Sequence, residues 1–292
     1  MGKQKMDSLT QDHYLQQIKP FLHNFNDPEF VECFVENGFV ILKQILPPAL
    51  VHKHFEFVSS RYEELRKDFQ QKHPDKKLPV LGISNHVLKE FERDPLFDQL
   101  VRNKNLLDAL EKLLGPDLAK TNSNSIFIND PVDDSPVTAK ELHQEAWSGA
   151  TVDDIQIWVP YHPTDPKTTM GVVPGSHYYG FFPNRNRKPI IPEGFEMPET
   201  IPMHPLEVGD AILFHGLLFH GGGKRSDRIR YALAFRFRSS FAPVGLYRSQ
   251  GFTTIRNGPM TRICTALGND LLSPLRTYGG NISNEDKYEA DI

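Results

Sequence analysis

The sequence predicts a mainly β protein, a sandwich- or barrel-like β core with helices in front of it. Three observations carry that expectation. From about residue 118 onward, short β-branched or aromatic runs alternate with Pro, Gly, Asn and Asp turns, which is the spacing of a sandwich or barrel and not of βαβ units. Before residue 115 the apolar residues recur at helical spacing instead. The chain also carries 23 Pro and 20 Gly among its 292 residues, too many turn formers for long helical repeats. With 39% hydrophobic residues it can bury a sizeable core. It is expected to form a single domain, with helices over about 8–115, the β core over about 118–240 and an extension over 241–292.

In chain order, residues 8–24 and 27–36 each read as a short helix, the second with Phe30, Cys33 and Phe34 on one face. Asn37 and Gly38 then turn the chain into the β-rich run of "NGFVILKQIL". A helix entered through Pro47 and Pro48 follows, because proline is tolerated in a first turn, with Leu50, Phe55, Val58 and Leu65 roughly periodic. "PLFDQLVRNKNLLDALEKLLG" is further helix, closed by Gly115. The β runs are "SIFIND", "DIQIWVPYH", "MGVVPGSH", "DAILFHGLLFH" and "YALAFRFRSSF". Residues 179–205 interrupt them with a proline-rich, basic excursion of the length that substrate-binding or lid segments have. Its "PNRNRKP" (Arg185, Arg187, Lys188) is either a solvated loop or a clamp for an anionic substrate. The last ten residues, "SNEDKYEADI", read as a solvated tail.

A net charge of -4 exerts no global pull on nucleic acid or an anionic membrane. Cys33 and Cys264 are the only cysteines, so neither a disulfide framework nor a Cys-based zinc site can be built. The N-terminus lacks the apolar stretch of a signal peptide, and no apolar run approaches the ~18 residues of a membrane span. The expectation is a cytoplasmic protein whose partner is a small molecule.

Chemistry concentrates in two segments. In "ELHQEAWSGA", His143 and Glu145 stand two positions apart, and on a strand such residues share a face. An imidazole and a carboxylate make an incomplete metal site. "GDAILFHGLLFHGGGKRSDRIRYALAFRF" offers two histidines to complete it. His215 ends an apolar run, and His220 immediately precedes Gly221, Gly222 and Gly223, where the backbone can bend. Two histidines and one carboxylate on one face of an ion, with three positions open, are the ligand set of non-haem Fe(II) oxygenases. Three such ligands plus water also describe a hydrolytic zinc site. Arg230, on the following strand, separates the two readings. A 2-oxoglutarate co-substrate presents a distal carboxylate that a guanidinium fork suits, whereas zinc hydrolysis leaves that arginine without a task. Arg228 and Arg236 are its competitors for the same role.

The segments "HQE", "GVVPGSH" and "GDAILFHGLLFHGGGKRSDRIRYALAFRF", together with "FVENGFVILKQIL", resemble the phytanoyl-CoA dioxygenase family of Fe(II)/2-oxoglutarate-dependent oxygenases, from about Phe30 to Ser240. The resemblance implies a double-stranded β-helix, the jelly roll of cupins, behind N-terminal helices. It implies His143, Glu145 and His220 as iron ligands and catalytic centre, Arg230 as the 2-oxoglutarate arginine, and Trp158 or Gln156 as a further residue lining the co-substrate. His177 recurs in the family in a supporting role, while His215 reads as a structural histidine hydrogen-bonded at the strand end. Glu145 stands where the family usually has Asp; a small residue there would have suggested a halogenase, and Glu suggests hydroxylation or a related oxidation of an unactivated C–H bond with O2. The basic loop and the chain end "EADI", which is no peroxisomal signal, favour a specialised metabolite or an acidic cell-surface sugar over a fatty acyl-CoA. A cupin-like binding protein without turnover is the alternative, and a zinc hydrolase the other.

Overall fold

A computed structural model describes residues 11–132, 142–186, 188–223, 228–242 and 252–266. The start of the first expected helix, Arg187 and the C-terminal tail lie outside them. Residues 11–18 form helix α1, which passes through a 3-10 turn (Lys19–Phe21) into strand β1 (Leu22–Asn24). The expected helix over 8–24 therefore ends early, since Pro20 has no N–H to continue an α-helical ladder. Helix α2 (Glu29–Asn37) buries Phe30, Cys33 and Phe34 and stops at Gly38, whose φ of 77° a side chain rarely adopts. A Cβ at Gly38 would also run into the His177 ring. Strand β2 (Phe39–Lys43) follows at once.

Helix α3 (Pro48–Lys72) buries Val51, His54, Val58 and Tyr62, while Leu50, Phe55 and Leu65 pack at the margin. The buried stripe includes a histidine and a tyrosine, which a purely apolar pattern passes over. Helix α4 (Val80–Phe91) is unexpected from the sequence; it buries Val80, Ile83, Val87 and Phe91. The run expected as one helix up to Gly115 is two, α5 (Pro95–Val101) and α6 (Lys104–Leu114). Asn103 divides them, because its side chain caps α6 by accepting from the amides of Asn105 at 3.1 Å and Leu106 at 3.3 Å.

The β core comprises β3 (Leu118–Thr121), β4 (Ser125–Asn129), β5 (Asp154–Pro160), β6 (Gly171–Val172), β7 (Asn184–Arg185), β8 (Lys188–Pro189), β9 (Ile201–Pro202), β10 (Ala211–His215), β11 (His220–Gly221), β12 (Arg230–Ser239) and β13 (Phe252–Arg256), followed by helix α7 (Pro259–Ala266). The major sheet runs β1-β2-β10-β5-β12-β3-β13, with β4 also on β12. Strand β12 is its spine: β5 pairs along one edge, and β4 and then β3 along the other. A minor sheet runs β11-β6-β9. The long excursion thus carries the β7–β8 hairpin and β9, and the C-terminal extension lends β13 to the major sheet. Helices α2, α4 and α6 pack on β2, β4 and β3. Among the described residues no helix is long and apolar enough to cross a membrane.

His54 gives this helical layer a pH dependence. It is fully buried, with its ring edge-on to Phe91 at 5.0 Å, and burial pushes its pKa down to about 4. The folded state therefore holds it neutral, while the unfolded chain takes up a proton near pH 6.5. Its contribution is fully present above that pH and drains away as the pH falls toward 4, amounting to roughly 3 kcal/mol at most. Denaturation midpoints measured from pH 7.5 to 4.5 should fall less steeply in His54→Leu than in the unsubstituted protein.

Candidate metal centre

The two histidines meet through the backbone before their side chains do. The His143 amide donates to the His220 carbonyl at 2.9 Å, and the His220 amide returns the bond to the His143 carbonyl at 3.0 Å. This reciprocal antiparallel bridge puts both imidazoles on one side, with ring centroids 4.2 Å apart. Glu145 is not on a strand, as its spacing from His143 had suggested. Gln144 is extended, and Glu145 then opens a 3-10 helix (Glu145–Ser148). The bend is held by the amide of Ala146, which donates to the Gly216 carbonyl at 3.0 Å.

Between the ligand candidates, Gln144 turns the other way and is wholly buried. Its amide nitrogen donates to the carbonyls of Gly180 at 2.9 Å and Leu217 at 2.7 Å, and its oxygen accepts from the Phe182 amide at 2.9 Å. Every polar atom of the side chain is thus engaged, tying this segment to the excursion and to the loop before His220. Gln144→Leu leaves three buried backbone groups unanswered, at about 1–3 kcal/mol each. Chemical denaturation should show a loss of about 3 kcal/mol or more, and metal titration a weaker site, although residue 144 touches no metal.

Glu145 Oε1 lies 3.4 Å from His143 Nε2 and 3.3 Å from His220 Nε2. Donors about 2.1 Å from one ion at adjacent octahedral positions stand about 3 Å apart, close to the two spacings from Oε1, and one ligand atom from each of the three residues lies within 4.8 Å of the others. His220 Nδ1 is 3.1 Å from the Leu218 carbonyl, which fixes the proton on Nδ1 and directs the Nε2 lone pair inward. Burial pushes the His220 pKa down to about 4, with His143 adding to the effect, so the ring is neutral and able to ligate. All three side chains are buried, and among the described residues theirs is the cluster able to hold a metal ion. The donor set and its spacing fit a divalent ion.

The cluster opens on a cavity of about 40 Å³ between the two sheets. Gln156 and Trp158 of β5, Arg230 and Ala234 of β12, Phe127, Met170 and Phe214 line it with the three ligand candidates. His143, Glu145, His220, Arg230, Gln156 and Trp158, the residues expected as ligands and co-substrate lining, therefore all line one space. Arg230 is buried there, its Nη1 donates to the Thr168 carbonyl, and its Nε has no hydrogen-bond partner among the described residues. Burial lowers its pKa to about 10, which leaves a full positive charge at neutral pH. Gly221 and Gly222 are shared with a wider cleft of about 480 Å³ that Leu142, Lys167, Thr169 and Thr200 also line.

Other candidates sit elsewhere. His215 Nδ1 accepts from the Leu217 amide at 3.1 Å, and His177 Nε2 is 3.0 Å from the Val35 carbonyl. Arg185 and Lys188 lie on the β7–β8 hairpin, outside the cavity lining. Arg228 lines a separate hollow on the far side of Arg230. Arg236 reaches the cluster itself: its Nη2 donates to Glu145 Oε2 at 3.0 Å. The triglycine owes its composition to crowding as much as to bending, because a Cβ at Gly223 would strike the backbone of Thr168 and Thr169. Gln144 and Arg236 were not anticipated in these roles. For Arg236 the signal was present, since alternation along β12 puts it on the cavity face with Arg230.

A family model for phytanoyl-CoA dioxygenase (PhyH) matches residues 34–232. No curated protein matches the chain. Among solved structures, the apo form of the non-heme monooxygenase ThoJ superposes with a TM-score of 0.59 at 19% identity, covering 84% of this chain and 93% of that one. The epimerase SnoN, in complex with Fe3+, alpha ketoglutarate and nogalamycin RO, gives 0.54 at 16% identity over 75% of this chain and 87% of that one. AviO1 from Streptomyces viridochromogenes Tue57 gives 0.53 at 16% identity over 76% and 99%. The likeness is one of fold, the cupin-like double-stranded β-helix with flanking helices.

Proposed function

Since the chain belongs to the phytanoyl-CoA dioxygenase family, we propose that it is an Fe(II)- and 2-oxoglutarate-dependent oxygenase that hydroxylates an unactivated C–H bond of a small molecule. One observation carries this reading: a buried His-Glu-His cluster and a buried guanidinium whose Nε has no hydrogen-bond partner among the described residues face the same cavity. His143 Nε2, Glu145 Oε1 and His220 Nε2 would hold the iron. The Arg230 fork takes the distal carboxylate of 2-oxoglutarate, and its charge needs such a partner in a buried setting. Gln156 and Trp158 flank the co-substrate, while Phe127, Met170 and Phe214 keep the cavity apolar and restrict water. With iron bound, the centre supplies the oxidising power from O2, and 2-oxoglutarate leaves as succinate and CO2.

The wider cleft beyond Gly221 and Gly222 supports a small-molecule substrate entering there. A specialised metabolite is the preferred class, as the nogalamycin-bound epimerase shares the fold. Release of succinate from 2-oxoglutarate by the Fe(II)-loaded protein under air tests the reading. Fe(II) and 2-oxoglutarate both bound, with no succinate even when candidate substrates are supplied, would overturn it in favour of a binding protein.

A further inference from the structure

Glu145 carries one methylene more than the aspartate usual at this position, and a longer carboxylate has more ways to miss its metal or to grip it with both oxygens. The structure divides its two oxygens. Oε1 faces the histidine pair, 3.4 Å and 3.3 Å from their Nε2 atoms, while Oε2 accepts from Arg236 Nη2 at 3.0 Å. Arg236 is itself held firmly. It is 1% exposed on the spine strand β12, directly across from Gln156 of β5, whose Oε1 accepts from Arg236 Nε at 2.9 Å. Its Nη1 faces Asp154 at 3.9 Å, and Asp154 is anchored by the Thr151 amide at 2.9 Å and hydroxyl at 3.0 Å. All three guanidinium nitrogens are therefore directed by neighbours.

We propose that Arg236 is a positioning residue that retains Oε2 of Glu145 and leaves Oε1 alone to ligate. The inference rests on the reading of His143, Glu145 and His220 as metal ligands and goes beyond it. A facial triad leaves three positions open, two for a chelating 2-oxo acid and one for O2. A glutamate gripping the ion with both oxygens would fill one of them. Arg236 prevents this, so the residue that secures the ligand also keeps the third position available. The glutamate and the arginine form one unit: the extra methylene gives the carboxylate the reach to touch metal and guanidinium together, and aspartate cannot span both from the same backbone position.

The test uses Co(II) and Mn(II) alone on the metal-free protein, with calorimetry for affinity and water-proton relaxation of the Mn(II) form to count exchangeable positions. Arg236→Met and Glu145→Asp should each weaken Co(II) binding by about 10- to 100-fold, the scale of lost outer-shell support. The double variant should bind little worse than either single, because both changes break the same link. Arg236→Lys should recover part of the loss. Relaxation should report about three open positions in the unsubstituted protein and about two in Arg236→Met. Affinity within about threefold of the unsubstituted protein in Arg236→Met, with unchanged relaxation, overturns the positioning role and leaves the metal centre standing. Should Arg236→Met not fold, Glu145→Asp decides, and full affinity there overturns the role equally. An unsubstituted protein that binds no Co(II) overturns both readings.

Discussion

Glu145→Gln is expected to lower Fe(II) affinity on the order of a thousandfold, about 4 kcal/mol, and to take succinate formation down with it. The amide is the informative replacement. It keeps the length of the side chain and can still accept the hydrogen bond of Arg236, so it removes the anionic ligand with little disturbance of the surroundings. Alanine would instead strand a buried guanidinium and mix a folding defect into the result. His220→Ala and His143→Ala should match the effect on affinity, since each removes one corner of the same set. Isothermal titration with Fe(II) under argon, alongside thermal melts of the metal-free proteins, separates the loss of a ligand from the loss of a fold. Three variants that melt normally and still bind Fe(II) at unsubstituted affinity would mean that the cluster is not the metal centre.

Arg230→Met is expected to act on the co-substrate and to leave the metal. Its guanidinium is buried in the cavity wall and its Nε has no hydrogen-bond partner among the described residues, so a carboxylate arriving there gains a charge-assisted, two-point contact. Truncating one member of such a buried pair costs about 3 kcal/mol, roughly a hundredfold in the KM for 2-oxoglutarate. Fe(II) affinity should change little. Lysine at this position restores charge without the fork and should fall between the two. A KM within a few-fold of the unsubstituted value, measured as succinate release against 2-oxoglutarate concentration, would move the role to another cation.

The sequence made the β core readable because short apolar runs between turn formers are a local signal, and β4, β5, β10 and β12 fall where those runs are. It also made the cluster readable, since a histidine two residues from a carboxylate and a second histidine abutting a glycine run stand out. Features that depend on distant partners were not legible. Strands β3 and β13 are short, and pairing defines them: β3 with β12, and β13 with β3. Gln144 looks like any polar residue until the carbonyls of Gly180 and Leu217 arrive beside it. The strand expected through His143 and Glu145 gave way to a bend, because Ala146 is bound to Gly216, far along the chain. Arg236 was visible only as a rival for the role given to Arg230, as nothing in the linear order reveals that Glu145 comes to rest against it.

The paired amides of His143 and His220 have a consequence for how the centre is gained and lost. These residues come from segments far apart in the chain, and they become neighbours only when β11 has found its place. No partly assembled chain can present half of the site at useful strength, because one histidine and one carboxylate make a poor chelate. Tight metal binding is therefore expected only of the assembled sheets, and unfolding them is expected to release the ion. A bound ion would accordingly mark a chain in which this one ladder rung has closed.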